Sequence, residues 1–437
     1  MPRVPSAPVT VPMLHRLQAI SALLVAVALF TGANGLTTTL LAIQGRAAGF
    51  TPGVIGMLAS AYFAGFILAC VFAGRIVRRV GHIRAYAGVT AIMAVSVLAY
   101  PFVVHPLAWI ALRSISGFCH AVLTMTAESW LNAVSSADER GRLFSVYRIV
   151  DLGSVTLAQL TLTLFDPLAA VAFSIIAMSV IAAVVPVTLT RIHAPGEITE
   201  ARLDVRALLR LSPLGVAGVV AVGFVSGALW GTAPIYVTEA GFAPPVVGWF
   251  ISAAIVGGAV AQWPLGRYSD RHDRRKVIFG ASAAAMVVAL ALFVLALFGR
   301  PPLAALIAGA ACLGGAALPI YSLAISHAND RAEPGEFVRI ASGLILFFGI
   351  GAVLGPAVSA AVVRVAGAAS LFACLGVVCA LLCAFAFVRT RYSEAPASKE
   401  DFVMLSRSSP AAFELDPRAV SPAPLSDGAP GPSPDAP

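Results

Sequence analysis

Charge is scarce in this chain. Only 11% of its residues are Asp, Glu, Lys or Arg, against 59% hydrophobic, and its mean hydropathy is +0.89. A soluble domain of 437 residues does not tolerate that balance. Cysteine is sparse as well. Cys70, Cys119, Cys312, Cys374, Cys379 and Cys383 all fall in apolar stretches without a CxxC pair, which predicts neither a disulfide nor a thiolate metal site. No phosphate-binding Gly-rich loop ending in Gly-Lys-Ser/Thr occurs, so direct drive by a nucleotide is unsupported. No His, Asp, Glu, Ser or Cys side chains gather into a nucleophile and base at one depth, which argues against a membrane enzyme. The chain is expected to need no cofactor and no metal.

What the chain has in abundance is apolar runs. Stretches of about 20 residues, long enough to cross a hydrocarbon core, recur twelve times: 17–43, 54–74, 85–104, 108–132, 144–165, 168–189, 214–237, 246–265, 277–298, 302–325, 338–363 and 368–388. The expected fold class is an all-α polytopic membrane protein with 12 transmembrane helices. Alternate loops then hold seventeen basic residues on one side and only Arg46, Arg300 and Arg364 on the other. By the positive-inside rule the basic side and both termini are cytoplasmic, in a bacterial inner membrane or its equivalent. The formal charge of +8 is thereby a topology signal and does not call for nucleic acid as a partner. The first apolar run, with Arg3 and Arg16 before it and Ala26-Val27-Ala28 inside it, could be a cleaved signal. Cleavage there would remove most of a helix that has a counterpart later in the chain, so it is read as a span.

That counterpart is part of a duplication. Residues 35–79 align without a gap on 227–271, 192 positions later, and fifteen of forty-five pairs are identical. They include Ala48-Gly49-Phe50 with Ala240-Gly241-Phe242, Gly56 with Gly248, and Gly74-Arg75 with Gly266-Arg267. A period of this length points to two pseudo-symmetric six-helix bundles that could rock about a central site, and so to movement of a small solute. The division expected is 1–193 for the first bundle, 194–213 for a cytoplasmic linker, 214–392 for the second bundle and 393–437 for a tail. Arg202, Arg206 and Arg210 recur every four residues in the linker, opposed by Leu203, Leu208 and Leu211, as in a short amphipathic helix at an anionic bilayer surface. The tail, rich in Pro, Ser and Ala with scattered acids, reads as disordered.

Span four carries the most chemistry. Arg113, Gly117, His120 and Thr124 share one helical face, and Glu128 lies about 60° from Arg113 around the axis. A buried arginine costs at least about 2.5 kcal/mol on insertion scales, so Arg113 must face a wet cavity or a partner. It is expected to bind an anion or relay a proton's effect; the alternative is snorkelling to the outer interface. His120 reads either as a pathway group or as a hydrogen-bonded packing residue. Arg148 and Asp151, three residues apart in span five, can pair. Glu128 or Asp151 is then a candidate proton site, against the alternative of a static ion-pair network. Asn34, Tyr62, Trp230 and Tyr321 complete the candidate pathway.

Gly74-Arg75-Ile-Val-Arg78-Arg79-Val-Gly81 and Gly266-Arg267-Tyr-Ser-Asp270-Arg271-His-Asp-Arg274 follow spans two and eight. They resemble motif A of the major facilitator superfamily, and Arg113 with Gly117 resembles its motif B. Glu128-Ser-Trp-Leu-Asn132, with Tyr147 and the Ser326-His327-Ala-Asn329-Asp330 end of span ten, is similar to the YcaD-like bacterial branch. The resemblance implies a major facilitator fold and secondary transport of a small solute by alternating access, coupled to protons; the alternatives are a facilitative uniporter or a non-enzymatic transporter-like receptor. It also implies a conformational latch at Gly74, Arg75, Arg79 and Gly81 and at Gly266, Asp270, Arg271 and Arg274. The first copy has Arg78 where the family has an acid, and the second has Asp273 where it has a glycine. The latch role therefore carries over securely to the second copy alone.

Overall fold

The computed structural model describes residues 13–135, 139–189, 205–332 and 336–392. They form fifteen α-helices. The first half holds α1 (Met13–Ala47), α2 (Pro52–Val80), α3 (His82–Ala99), α4 (Pro106–Val134), α5 (Arg140–Leu160), α6 (Val171–Ala182) and α7 (Val184–Leu189). After the short α8 (Val205–Leu211), the second half holds α9 (Pro213–Glu239), α10 (Pro245–Arg271), α11 (Arg274–Leu297), α12 (Leu303–Ala317), α13 (Ile320–Asn329), α14 (Phe337–Ala366) and α15 (Ser370–Tyr392). Two crossings are interrupted. The pair α6 and α7 breaks at Ala183, and the pair α12 and α13 breaks around Pro319, which has no N–H to continue the ladder.

Among the described residues, eleven helices are long and apolar enough to cross a membrane. The twelfth expected crossing, 144–165, is α5. It is long enough, but Arg142, Arg148 and Asp151 lower its hydropathy. A span this polar is tolerated because its polar side is bonded to α1 rather than turned to lipid. Ser154 and Thr31 hydroxyls lie 2.7 Å apart, Gln159 Nε2 donates to the Gly35 carbonyl at 3.0 Å, and its Oε1 accepts from Thr39 at 2.9 Å. Leu107, Val260 and Leu381 are among the large apolar side chains left on the outer surface, where hydrocarbon would cover them.

The duplication is visible in the backbone. Gly49 and Gly241, matched in the repeat, have φ +82° and +79°. Each lets the chain leave a helix and fold back, so that Phe50 N–H reaches the Gly45 carbonyl at 2.8 Å and Phe242 N–H the Val237 carbonyl at 3.2 Å. Pro52 and Pro245 then open the next helices, where a missing N–H costs nothing. A second matched pair, Gly56 and Gly248, sits where the halves meet. A Cβ on Gly56 would lie 2.6 Å from the Pro356 carbonyl of α14, and one on Gly248 would lie 2.4 Å from the Gln159 carbonyl of α5. The halves thus join through α2 against α14 and α10 against α5, with α1 against α9 between them.

Within the expected linker lies α8, where Leu208 is buried and Arg206 and Arg210 are exposed. Arg202 and Leu203 lie outside the described residues, as does the whole of 393–437.

Candidate functional site

A cavity of about 210 Å³ lies between the halves. Three repeat-matched pairs face it, Thr38 with Trp230, Ala59 with Ile251 and Phe63 with Ile255, each 192 positions apart. A cavity lined by matched residues of both copies lies on the axis relating them, which is where a rocking pair of bundles would hold its cargo.

The sequence builds the polar wall as follows. Gly117 of α4 seats the Tyr62 carbonyl of α2, for a Cβ there would fall 2.0 Å from that oxygen. The close approach places the Tyr62 ring under Arg113, whose guanidinium carbon is 4.4 Å from the ring centroid. From α1, Asn34 Oδ1 accepts from Arg113 Nη1 at 3.4 Å and Asn34 Nδ2 donates to the Tyr62 hydroxyl at 3.0 Å. Thr38 Oγ1 accepts from Arg113 Nη2. Arg113 is 1% exposed, so it is buried in the bundle and does not snorkel to an interface. Its partners are neutral: among the described residues no carboxylate forms an ion pair with it.

Also lining the cavity, Arg148 Nη1 donates to Asp151 Oδ2 at 2.6 Å, the i,i+3 pairing expected for α5. His120 packs edge-on to Phe30 with ring centroids 5.5 Å apart, and lies 6.0 Å from Tyr62. Its Nδ1 is buried and makes no hydrogen bond among the described residues. Arg113, His120, Arg148, Asp151, Asn34, Tyr62 and Trp230 are therefore brought together in one cavity. Two pathway candidates stand outside it. Glu128 is fully buried and accepts from the Tyr147 hydroxyl at 2.6 Å, while Tyr321 is buried edge-on to Phe348 at 5.3 Å.

The motif residues divide by role. Gly81 has φ +86° and closes α2, its N–H donating to the Val77 carbonyl at 2.8 Å. A Cβ on Gly74 would meet no atom within 4 Å, so helix contact does not explain that glycine. Arg75 lies over the Phe72 ring at 5.7 Å, and Arg79 and Arg271 are exposed. In the second copy Arg274 is 1% exposed, with Nε 2.8 Å from Asp330 and Nη2 3.5 Å from Asp270. These ion pairs tie α10, α11 and α13 within one half. Asp273, where the family has glycine, caps α11 by accepting from Arg275 N at 3.0 Å, with φ −60°. A capping carboxylate thus makes the turn that Gly81 makes by positive φ in the first copy.

Reading the sequence missed several groups. Thr38 and Gln159 fix the wall through hydroxyl and amide contacts, and polar residues so common in spans gave no signal. Phe348 and the isoleucines look like ordinary core. Arg46 and Glu239 form an ion pair of 2.9 Å between α1 and α9. Its signal was available, since opposite charges close two helices that match in the repeat.

The fold and site define a polytopic α-helical membrane protein made of two related bundles around one central cavity. The chain belongs to the Major Facilitator Superfamily, whose profile matches residues 22–216 and again 215–425. It is similar to the uncharacterized MFS-type transporter YcaD of Salmonella heidelberg (strain SL476), with 27% identity over 340 residues, 77% of this chain and 87% of the relative. An uncharacterized MFS-type transporter of Enterobacter sp. (strain 638) is 29% identical over 308 residues, 70% of this chain and 78% of the relative. Among solved structures, the nucleoside transporter NupG superposes with TM-score 0.68 at 16% identity, covering 87% of this chain and 100% of that one. An inward-facing, unoccupied bacterial homolog of the human lysosomal transporter Spinster gives 0.71 at 14%, covering 87% and 98%. Membership points to membrane transport rather than catalysis.

Proposed function

We propose that the protein carries a small solute across a bacterial inner membrane by alternating access, with both termini in the cytoplasm and the central cavity as the solute site. The observation that carries this reading is the cavity itself, which is lined by repeat-matched residues and contains a buried arginine held by neutral partners. An arginine kept in such surroundings supplies a charge-assisted, two-pronged donor to whatever enters. The halves meet through glycine-lined seams, and two rigid bundles that touch at such seams can rock without repacking their own cores.

Coupling to protons follows from the carboxylates beside the path. Asp151 lines the solute cavity and is paired with Arg148, so protonating it would weaken that ion pair and change the charge of the site. Glu128 is the second candidate, one helix away and hydrogen-bonded to Tyr147. Uptake into proteoliposomes under an imposed pH gradient tests the scheme. Coupled movement is expected to be lost in Asp151→Asn or Glu128→Gln. If both variants keep the wild-type pH dependence, the proton role is wrong and facilitative movement stands in its place.

A further inference from the structure

The cavity is chemically two-sided. Apart from the Trp230 indole N–H its polar side chains, among them Asn34, Thr38, Tyr62, Arg113, His120 and the Arg148–Asp151 pair, come from the N-terminal half. The C-terminal half contributes Trp230, Ile251, Ile255 and Phe348, with the Trp230 indole N–H as its single polar side-chain atom. The repeat match sharpens the contrast. At one matched position Thr38 accepts from Arg113, and at its counterpart Trp230 lines the cavity with an indole.

From this division we infer that the solute is an amphiphilic organic monoanion. Its carboxylate-like head lies on Arg113 in the N-terminal half, and its aryl or alkyl body lies against Trp230 and Phe348. The inference rests on the transport reading above and specifies its substrate class.

Charge selects the head. Arg113 and Arg148 against Asp151 leave one positive charge over, and Arg148 is already bonded to Asp151 at 2.6 Å. One uncompensated arginine in a weakly hydrated site favours one negative charge, repels a cation, and lacks the second cation that a dianion would require. Shape and polarity select the body. A sugar or other polyol would leave hydroxyls against Ile251, Ile255 and Phe348 without partners, at the cost of each lost water contact. An apolar body loses nothing there and gains burial. The two walls belong to different rigid halves, so such a solute touches both only when it bridges them, which is what a carrier needs from its cargo.

The full-length protein in detergent can be titrated with four probes of graded chemistry: 4-phenylbutyrate, 4-phenylbutyramide, 4-phenylbutylamine and acetate. Binding is read by tryptophan fluorescence, to which Trp230 contributes, and by thermal stabilisation. The expected result is saturable binding of phenylbutyrate, with the amide, the amine and acetate each at least tenfold weaker. Arg113→Gln should weaken phenylbutyrate by a further tenfold or more. Trp230→Ala, at a half-buried wall position, should do so to a similar degree and serves if the arginine variant does not fold. Amine or amide binding as tight as the acid, no binding of any probe, or phenylbutyrate affinity untouched by both variants would overturn the assignment. Proteoliposome uptake separates this from failure of transport. Uptake of a cation or polyol that Trp230→Ala does not affect would sink the substrate class and leave transport standing. Tight, Arg113-dependent phenylbutyrate binding without uptake would sustain the site and sink transport.

Discussion

Arg46, at the end of α1, and Glu239, at the end of α9, form an ion pair of 2.9 Å that joins the two halves of the molecule. Both side chains are partly exposed, 45% and 27%, so the pair is worth no more than about 1 kcal/mol. That is enough to bias the equilibrium between two arrangements of the halves by about fivefold. Glu239→Gln and Arg46→Gln should each shift the population towards separation at this face by up to about that factor, and the exchanged pair Arg46→Glu with Glu239→Arg should restore it. Distance measurements between spin labels on α1 and α9 would detect the shift. A shift in the single variants that the exchange fails to reverse would remove the ion pair as its cause.

Glycine substitutions at the seams should separate helix contact from motif membership. Gly248 and Gly56 are packed against backbone of the other half, and a side chain at either would force the seam apart. Gly248→Val and Gly56→Val are expected to cut transport at least tenfold, while each half, whose own core is untouched, stays folded. Gly74→Ala should be nearly silent, because an added methyl group there meets nothing within 4 Å. The informative measurement is proteoliposome uptake beside size-exclusion behaviour. If Gly74→Ala were as damaging as Gly248→Val, local packing would not be what these glycines supply.

The architecture could be read from the chain because membrane physics is written in length and composition. A hydrocarbon core demands about 20 apolar residues per crossing, and the 192-residue repeat carried its own alignment down to Gly49 and Gly241. Much of the site was legible for a related reason. A charge inside a span is expensive, so Arg113, Arg148 and Asp151 announced themselves. Among the neutral groups of the wall Asn34 stood on the candidate pathway, but Thr38 and Gln159 gave no signal, because they cost little in a span and their partners lie 75 to 124 positions away. Nor could helical spacing place Glu128. Its angle around the axis is close to that of Arg113, yet about four turns of helix separate the two, and Glu128 meets Tyr147 outside the cavity.

Pairing between Arg148 and Asp151 should show in stability as well as in coupling. Arg148 is 7% exposed and Asp151 17%, so removing one charge takes a close opposite charge away from a largely buried ion. Asp151→Asn alone is expected to cost about 3 kcal/mol, and the double variant Arg148→Gln with Asp151→Asn to cost less than the single change. Thermal unfolding in detergent at neutral pH gives the comparison. A double variant less stable than both single variants would mean that each residue acts through other contacts.

Asp273 offers a pH test outside the spans. It caps α11 through Arg275 N and accepts from Arg275 Nη2 at 2.6 Å, while Arg275 Nη1 reaches the Arg389 carbonyl at the end of α15. Burial by itself would raise the Asp273 carboxyl; the hydrogen bonds and charge of Arg275 outweigh burial and hold it below its ordinary value. A carboxyl depressed in the folded state contributes stability that is complete above the unfolded value, about 3.9, and is lost as pH falls through the folded value. At neutral pH Asp273→Ala should therefore lose about 1 kcal/mol, the usual worth of a cap. On acidification the wild type should give up that advantage, and the two unfolding temperatures should converge below about pH 3.9. A gap that stays constant from neutral pH down through that range would show that the cap works without its charge, and that the Arg275 contact contributes geometry alone.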